Sequence, residues 1–365
     1  MSKRQLNVII GNYIPRGKEI DSDFMKDMES FHLLMEYAKD ESNGLDVQLR
    51  GKYMNIYYQG GSLVKLSGKS NCDIDKNYFY VTSKGELCMS DIERLCQPDY
   101  VEKAKLSKAL KGRDSQLPEL RKKALTIMEN ISGEQTKIIS KLKNCKTKDE
   151  ICSVVEIMKM TMRNWKDGLC DSGRRKTVVG ERTVQHYLSL FNKHFDNTSD
   201  FIVLDIEYAI STNAKYAKEE NREKQPRIDI IAIEKGTGQI YVMELKYGMK
   251  SVQGDASARK HYEDYCATVG DEGKWQSFVD DIEVLLDAKK RTEIVDEDVT
   301  IKRCKPKFAF VLKQEKESDR EDFIKELEEL EKVSFTSIPT LYLPVELDWD
   351  NPKAESNKLA KKFMR

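Results

Sequence analysis

The chain has no surplus of either charge: 62 Lys and Arg stand against 62 Asp and Glu in 365 residues. That excludes a globally basic nucleic-acid binder, and any basic contact surface must be local. No apolar run approaches the roughly 20 residues a membrane-spanning helix needs. The start, "MSKRQLNVIIGNYIPRG", has too short an apolar stretch for a signal peptide. The eight cysteines form no CxxC pair, which speaks against a zinc ribbon or a dithiol redox motif. They read as reduced thiols, and a cytoplasmic protein is expected. Histidine is scarce, and His32, His186 and His194 show no zinc spacing. "SGKS" at Ser67–Ser70 is not a phosphate loop, because Leu63 stands where the first glycine is required. No Ser, His and Asp arrangement, internal repeat or low-complexity linker is recognisable.

What is present is a charge-rich folding chain, with 39% hydrophobic and 34% charged residues. "DSDFMKDMESFHLLMEYAKD" carries Phe24, Met28, Phe31, Met35 and Ala38 at helical spacing, with Ser22 as the expected N-cap. "LDVQLR", "YMNIYYQGGSLVKLSG" and "KNYFYV" read as strands, with Gly60-Gly61 as a turn. From about Ser90 to Trp165 the pattern is helical, with breaks expected near Gly112, Pro118, Gly133 and Thr147. "DGLCDSGRRKTVVG" has the composition of a connector, so a boundary is expected near residue 170, dividing residues 1–170 from 171–365. Beyond it, "ERTVQHYLSLFNKHF" is helical, "FIVLDIEYAI" a strand and "RIDIIAIEKGTGQIYVMELKYG" a pair of strands. "DASARKHYEDYCATVG" and the segment from Lys274 to Lys290 are helical, "KFAFVLK" is a strand, "DREDFIKELEELEK" a charged helix and "TLYLPV" a last strand. This order predicts an α/β or α+β domain with a mixed sheet covered by helices. Residues 1–170 are expected to form a separate α+β and helical region that positions substrate or mediates oligomerisation, a homodimer included. Its Tyr53, Tyr57 and Tyr58 suit either base stacking or plain packing.

The paired strands raise the functional question. Strand side chains alternate faces, so Glu244 and Lys246 share one side while Met243, Leu245 and Tyr247 share the other. A turn centred on Gly236-Thr237 puts Asp229 directly opposite Glu244. Opposed residues have Cβ atoms about 4.5–5.5 Å apart. Two carboxylates that close repel unless a cation or proton intervenes. A divalent cation with oxygen ligands meets that need, and a neighbouring lysine can orient a water or neutralise developing phosphate charge. Asp, Glu and Lys on one face therefore form the parts of a phosphodiester-hydrolysis site. The competing explanation is an ordinary cross-strand salt bridge, a common device that contributes about 0–1 kcal/mol when exposed.

Asp229, fourteen intervening residues and then Glu244-Leu245-Lys246 resembles the signature of the PD-(D/E)XK nuclease superfamily. The resemblance covers roughly Arg174 to Lys313 and is carried by the αβββα order as much as by the short motif. Pro226 is present, but Arg227 and Ile228 separate it from Asp229. The resemblance implies a restriction-endonuclease-like αβββαβ core and Mg²⁺- or Mn²⁺-dependent cleavage of nucleic acid, DNA before RNA. Asp229, Glu244 and the Leu245 carbonyl would hold the metal, with Glu181 on the first core helix and Glu207 on the first strand as further ligands. Lys246 would serve the water or the charged phosphate. A Gln-x-x-x-Tyr pattern in some members corresponds to His261 and Tyr265, a departure at the first position that puts that subgroup in doubt. His261 and Tyr265 are candidate nucleic-acid contacts, as are Arg174, Arg175 and Lys176 in the local basic cluster. The main alternative is a catalytically inactive nucleic-acid-binding or assembly module on the same scaffold.

Overall fold

A computed structural model describes residues 20–80, 87–97, 116–171, 179–194, 199–209, 227–252, 257–334 and 337–343. The chain is of mixed α/β type and carries one antiparallel and one mixed sheet, with helices around them. It divides into two compact units. One comprises the described parts of Met1–Lys26, Ala38–Gly60 and Gly180–Arg365, and the other comprises Asp27–Tyr37 and Gly61–Val179. Among the described residues, no helix is long and apolar enough to cross a membrane.

In chain order the strands are β1 Leu45–Leu49, β2 Tyr53–Tyr58, β3 Gly61–Ser67, β4 Asn71–Asp73, β5 Phe201–Ala209, β6 Arg227–Glu234, β7 Ile240–Tyr247, β8 Lys307–Lys313 and β9 Thr340–Leu343. The described α-helices are α1 Ser22–Asp27, α2 His32–Lys39, α3 Met89–Leu95, α4 Leu117–Asn144, α5 Lys148–Asp171, α6 Glu181–Leu190, α7 Ala258–Ala267, α8 Trp275–Arg291 and α9 Asp319–Ser334. Every element expected beyond residue 180 is found, in the expected order.

Four expectations nearer the N-terminus are corrected. The helix predicted over residues 21–40 is two helices separated by a 3-10 turn at Glu29–Phe31, and Asp21 caps the first of them. Its Oδ1 accepts the Phe24 N–H at 2.9 Å. Gly133 breaks nothing and lies inside the 28-residue α4, while Pro118 opens that helix, where its missing N–H costs nothing. "KNYFYV" is not a strand at its start: Lys76–Phe79 is a 3-10 turn, held by Asp75 Oδ1 accepting the Asn77 N–H at 2.9 Å.

In the second unit, Leu87, Met89, Ile92, Leu95, Ala124 and Ile131 build a small core between α3 and α4. Tyr78 meets Trp165 edge-on with ring centroids 5.2 Å apart.

The first unit holds the mixed sheet, ordered β5-β6-β7-β8-β9. The first two pairings are antiparallel and the last two parallel. One sheet face buries Met243, Leu245, Ile230 and Val311 against Val184, Leu188 and Phe191 at α6. On the other face Phe308 packs against Tyr262 and Tyr265 of α7, and Phe310 against Phe323 of α9.

The same unit also contains the β1–β2 hairpin, one run of whose polar residues is buried rather than solvated. Asp46 and Gln48 on β1 and Arg50 just after it alternate along the chain and are all buried. Arg50 Nη1 lies 2.7 Å from Asp205 Oδ1, and Lys193 Nζ lies 2.5 Å from Asp46 Oδ1. Gln48 Nε2 donates to Asp46 Oδ2 at 2.8 Å and to Ser189 Oγ at 2.6 Å. Lys289, fully buried on α8, donates to Gln48 Oε1 at 2.8 Å and also to the Leu204 carbonyl. Burial would raise the Asp46 carboxyl, but Lys193, His186 and Lys289 outweigh it and hold it at about 2. Burial depresses the Lys289 amine to about 7 despite Asp205 and Asp46.

Between pH 7 and the ordinary lysine value of 10.5, the unfolded chain binds a proton at Lys289 that the folded chain does not. Stability contributed at this position therefore rises with pH across that window. Lys289→Met should remove this part of the rise. It should also destabilise the unit by about 1–3 kcal/mol for each acceptor, Gln48 and Leu204, left without a donor. Urea unfolding of both proteins at about pH 7 and about pH 9.5 checks this. An identical pH dependence in the two would exclude it.

Candidate active site

The turn at Lys235–Gly238 sets the register of β6 on β7. Glu234 N donates to Gln239 O at 2.9 Å and Gly238 N to Glu234 O at 3.0 Å. Ile233 then pairs with Ile240, Ala232 with Tyr241, Ile231 with Val242 and Ile230 with Met243. The next step places Asp229 opposite Glu244, the register the turn predicts. There the backbone ladder gives way to a side chain, because Asp229 Oδ2 accepts the Leu245 N–H at 2.9 Å.

Glu244 and Lys246 share the Asp229 face, and all three are buried, at 7%, 2% and 8% exposure. Glu244 Oε1 accepts from Lys246 Nζ at 3.2 Å and lies 2.9 Å from Nδ1 of His261, one turn into α7. Burial, then Glu244, then Glu181 push the Asp229 carboxyl well above the usual carboxylate range. Burial likewise raises Glu244, which Lys246 only partly offsets, and the two carboxyl groups are close enough to hydrogen-bond one another. Burial lowers the His261 imidazole to about 4, and the nearby Lys246 charge adds to this. At neutral pH His261 is uncharged, so its 2.9 Å approach to Glu244 is not an ion pair.

Glu181 opens α6 after an extended Gly180 and is exposed by surface area. Its carboxyl is still crowded enough for desolvation to raise it, and it feels Lys246, Glu207 and His261. Asp229 and Glu244 feel Glu181 in return. Glu207 lies on β5 between the pairs Ile206–Ile230 and Tyr208–Ile228, which puts it level with Asp229. Its backbone is left-handed, φ 53°, and its Oε2 pairs with Arg227 Nη1 at 2.8 Å.

The structure thus gathers Asp229, Glu244, Lys246, His261 and Glu181 into one electrostatic group, with Glu207 beside it. Leu245 is buried and gives its N–H to Asp229. Tyr265 stands apart: its ring packs 5.1 Å from Phe308 and its hydroxyl donates to Pro306 O at 2.7 Å. Arg174, Arg175 and Lys176 lie outside the described residues. Sequence reasoning missed the close His261–Glu244 contact. The one available signal was His261 itself, an imidazole placed early in the helix that follows the Glu-x-Lys strand.

Comparison with protein-family models, curated proteins and solved structures finds no match to this chain.

Among the described residues, no group of three His, Cys, Asp or Glu side chains is placed to hold a metal ion by itself. The fit to a hard dication rests on the chemistry of a smaller donor set. Asp229 and Glu244 offer two adjoining carboxylates whose negative charge is under-compensated, and water or a backbone carbonyl completes such a shell.

Asp229→Asn keeps an acceptor for the Leu245 N–H and removes the charge that burial and Glu244 penalise. Without divalent cation at neutral pH it should be more stable than the parent by on the order of 1–3 kcal/mol. Mn²⁺ should then raise the melting temperature of the parent and not of the variant. Calorimetric scans with chelator and with Mn²⁺ check both points, and a variant that melts lower in chelator would refute the first.

Proposed function

We propose that the unit carrying Gly180–Arg365 is a metal-dependent nuclease of the PD-(D/E)XK type, hydrolysing phosphodiester bonds in nucleic acid, DNA in preference to RNA. The observation that carries the reading is the buried trio on one sheet face: Asp229 and Glu244 in adjoining register, with Lys246 Nζ 3.2 Å from Glu244. The run α6-β5-β6-β7-α7, with β8 following after α8 and pairing parallel to β7, suits the restriction-endonuclease-like core.

Asp229, Glu244 and the Leu245 carbonyl would hold Mg²⁺ or Mn²⁺, with Glu181 and Glu207 to hand, and the ion would supply Lewis-acid polarisation of the phosphate. The chain's own groups divide the remaining work. The Leu245 N–H fixes one Asp229 oxygen. His261 and Lys246 together fix one Glu244 oxygen, which orients that carboxylate. Lys246 can turn from Glu244 to orient an attacking water or to balance charge that builds on the phosphate. Phe310 and Leu312 on β8, in register with Glu244 and Lys246, are fully buried and keep that side of the trio dry. Low dielectric strengthens each of these contacts.

The Lys246–Glu244 ion pair also suits a second reading, a binding or structural module in which the trio is only a buried salt bridge. Incubation with linear, circular and single-stranded DNA and with RNA, in Mg²⁺, Mn²⁺ or chelator, separates the two. Lys246→Ala should lose about 10²–10³ in cleavage rate, roughly 3–4 kcal/mol, while keeping most Mn²⁺ affinity. Asp229→Ala should lose both. Wild-type cleavage by Lys246→Ala would remove Lys246 from the chemistry.

A further inference from the structure

We infer that the β1–β2 hairpin is a positioning element of the carboxylate site, acting through the two elements that bear Glu181 and Glu207. This rests on the reading of the site as one that holds a divalent cation.

The first grip is on α6. The turn after β2 has two left-handed residues, Gln59 at φ 46° and Gly60 at φ 75°. A Cβ at Gly60 would lie 2.6 Å from the Arg182 carbonyl carbon and the Thr183 nitrogen. Only glycine lets this turn lie against the first turn of the helix. Thr183 Oγ1, on a buried side chain, donates to the Gln59 carbonyl at 3.1 Å. The contact falls one and two residues after Glu181. It anchors a helix start that lacks a side-chain cap of its own, since Gly180 offers none.

The second grip is on β5. Its register against β6 shifts between Val203 and Asp205, and without that shift Glu207 would not stand level with Asp229. Asp205 Oδ1 accepts the Ile206 N–H at 2.9 Å and meets Arg50 Nη1 at 2.7 Å. Arg50 Nη2 in turn donates to Tyr57 OH at 3.0 Å, tying β1 to β2. One hairpin therefore fixes the helix start two residues from one acid and the strand irregularity two residues from the other. Neither Thr183 nor Arg50 is among the metal-binding acids, and both are positioning residues.

The test is a double-mutant cycle read by Mn²⁺ affinity in calorimetry, with melting temperature recorded alongside. Thr183→Val keeps the shape and deletes the hydroxyl. It should weaken Mn²⁺ binding about 10-fold. In a Glu181→Ala background the same change should have no further effect, because the group it positions is gone. Gly60→Ala attacks the same contact from the other side and should show the same loss and the same dependence on Glu181. A contact that merely supports the fold would lower the melting temperature in both backgrounds without this dependence. Wild-type Mn²⁺ affinity in Thr183→Val, or an equal loss with and without Glu181, overturns the inference while leaving the site's reading intact. A wild-type protein that binds no Mn²⁺ and cleaves nothing overturns both.

Discussion

The first unit depends on one buried ionic network. Asp46 of β1, Arg50 just after it, Lys193 after α6, Asp205 of β5 and Lys289 of α8 are all nearly or fully sealed from solvent. With the Lys289 amine depressed to about 7, the two acids face chiefly Arg50 and Lys193, each acid with one of them within 2.7 Å. Removing one partner of such a pair typically costs about 3–5 kcal/mol, because the other is left buried and uncompensated. The network therefore enforces which strand, helix and bulge meet, in a way that apolar packing alone would enforce less strictly. It also places a hairpin from early in the chain inside the unit formed by the later residues.

The carboxylate site follows a different electrostatic rule, and β5 joins it to the network by carrying Asp205 of the one and Glu207 of the other. Asp46 and Asp229 are comparably buried acids, yet Asp46 is held at about 2 and Asp229 is pushed well above its ordinary range. Burial acts alike on both, and the neighbours differ. Asp46 meets Lys193 and Lys289, whereas Asp229 meets Glu244 and Glu181. A fold able to neutralise buried acids so fully in one place leaves two of them under-neutralised in another. Strongly perturbed acids of this kind cluster at functional sites, with structural ion-pair networks as the competing cause, and here the two causes lie side by side.

The order of elements after residue 180 was legible because each is a clean periodic run between breakers. The Asp229–Glu244 register was legible because a glycine-bearing turn leaves few alternatives. β1 was not. Asp46, Gln48 and Arg50 alternating with Val47 and Leu49 has the pattern of a half-solvated strand, and nothing local says that its polar face is buried. The partners lie 155 residues away for Arg50 and 241 for Gln48. Gly133 misled for a related reason: a glycine costs a helix only about 1 kcal/mol, and Ala124, Ile131, Ile138 and Leu142 bury one stripe of α4 on both sides of it. In "KNYFYV" strand-forming side chains lose to the Asp75 cap, a local hydrogen bond that overrides propensity. His261 was singled out as a phosphate contact, and its contact with Glu244 depends on how α7 crosses the sheet, which no spacing in the sequence encodes.

The distance between β1 and its partners also constrains how the molecule assembles as it is made. The β1–β2 hairpin emerges early, but its charges meet no partner until α6, β5 and α8 have followed. Until then Asp46, Gln48 and Arg50 are better served by water than by one another, so the hairpin gains little by forming alone. Closing loops of this length costs entropy before any contact repays it, and contacts so distant in sequence go with slow folding. Most of the second unit, Gly61–Val179, lies in the chain between the hairpin and those partners. The buried charges of the early hairpin are thus satisfied only when β5 and α8, 155 and 241 residues further along, are in place.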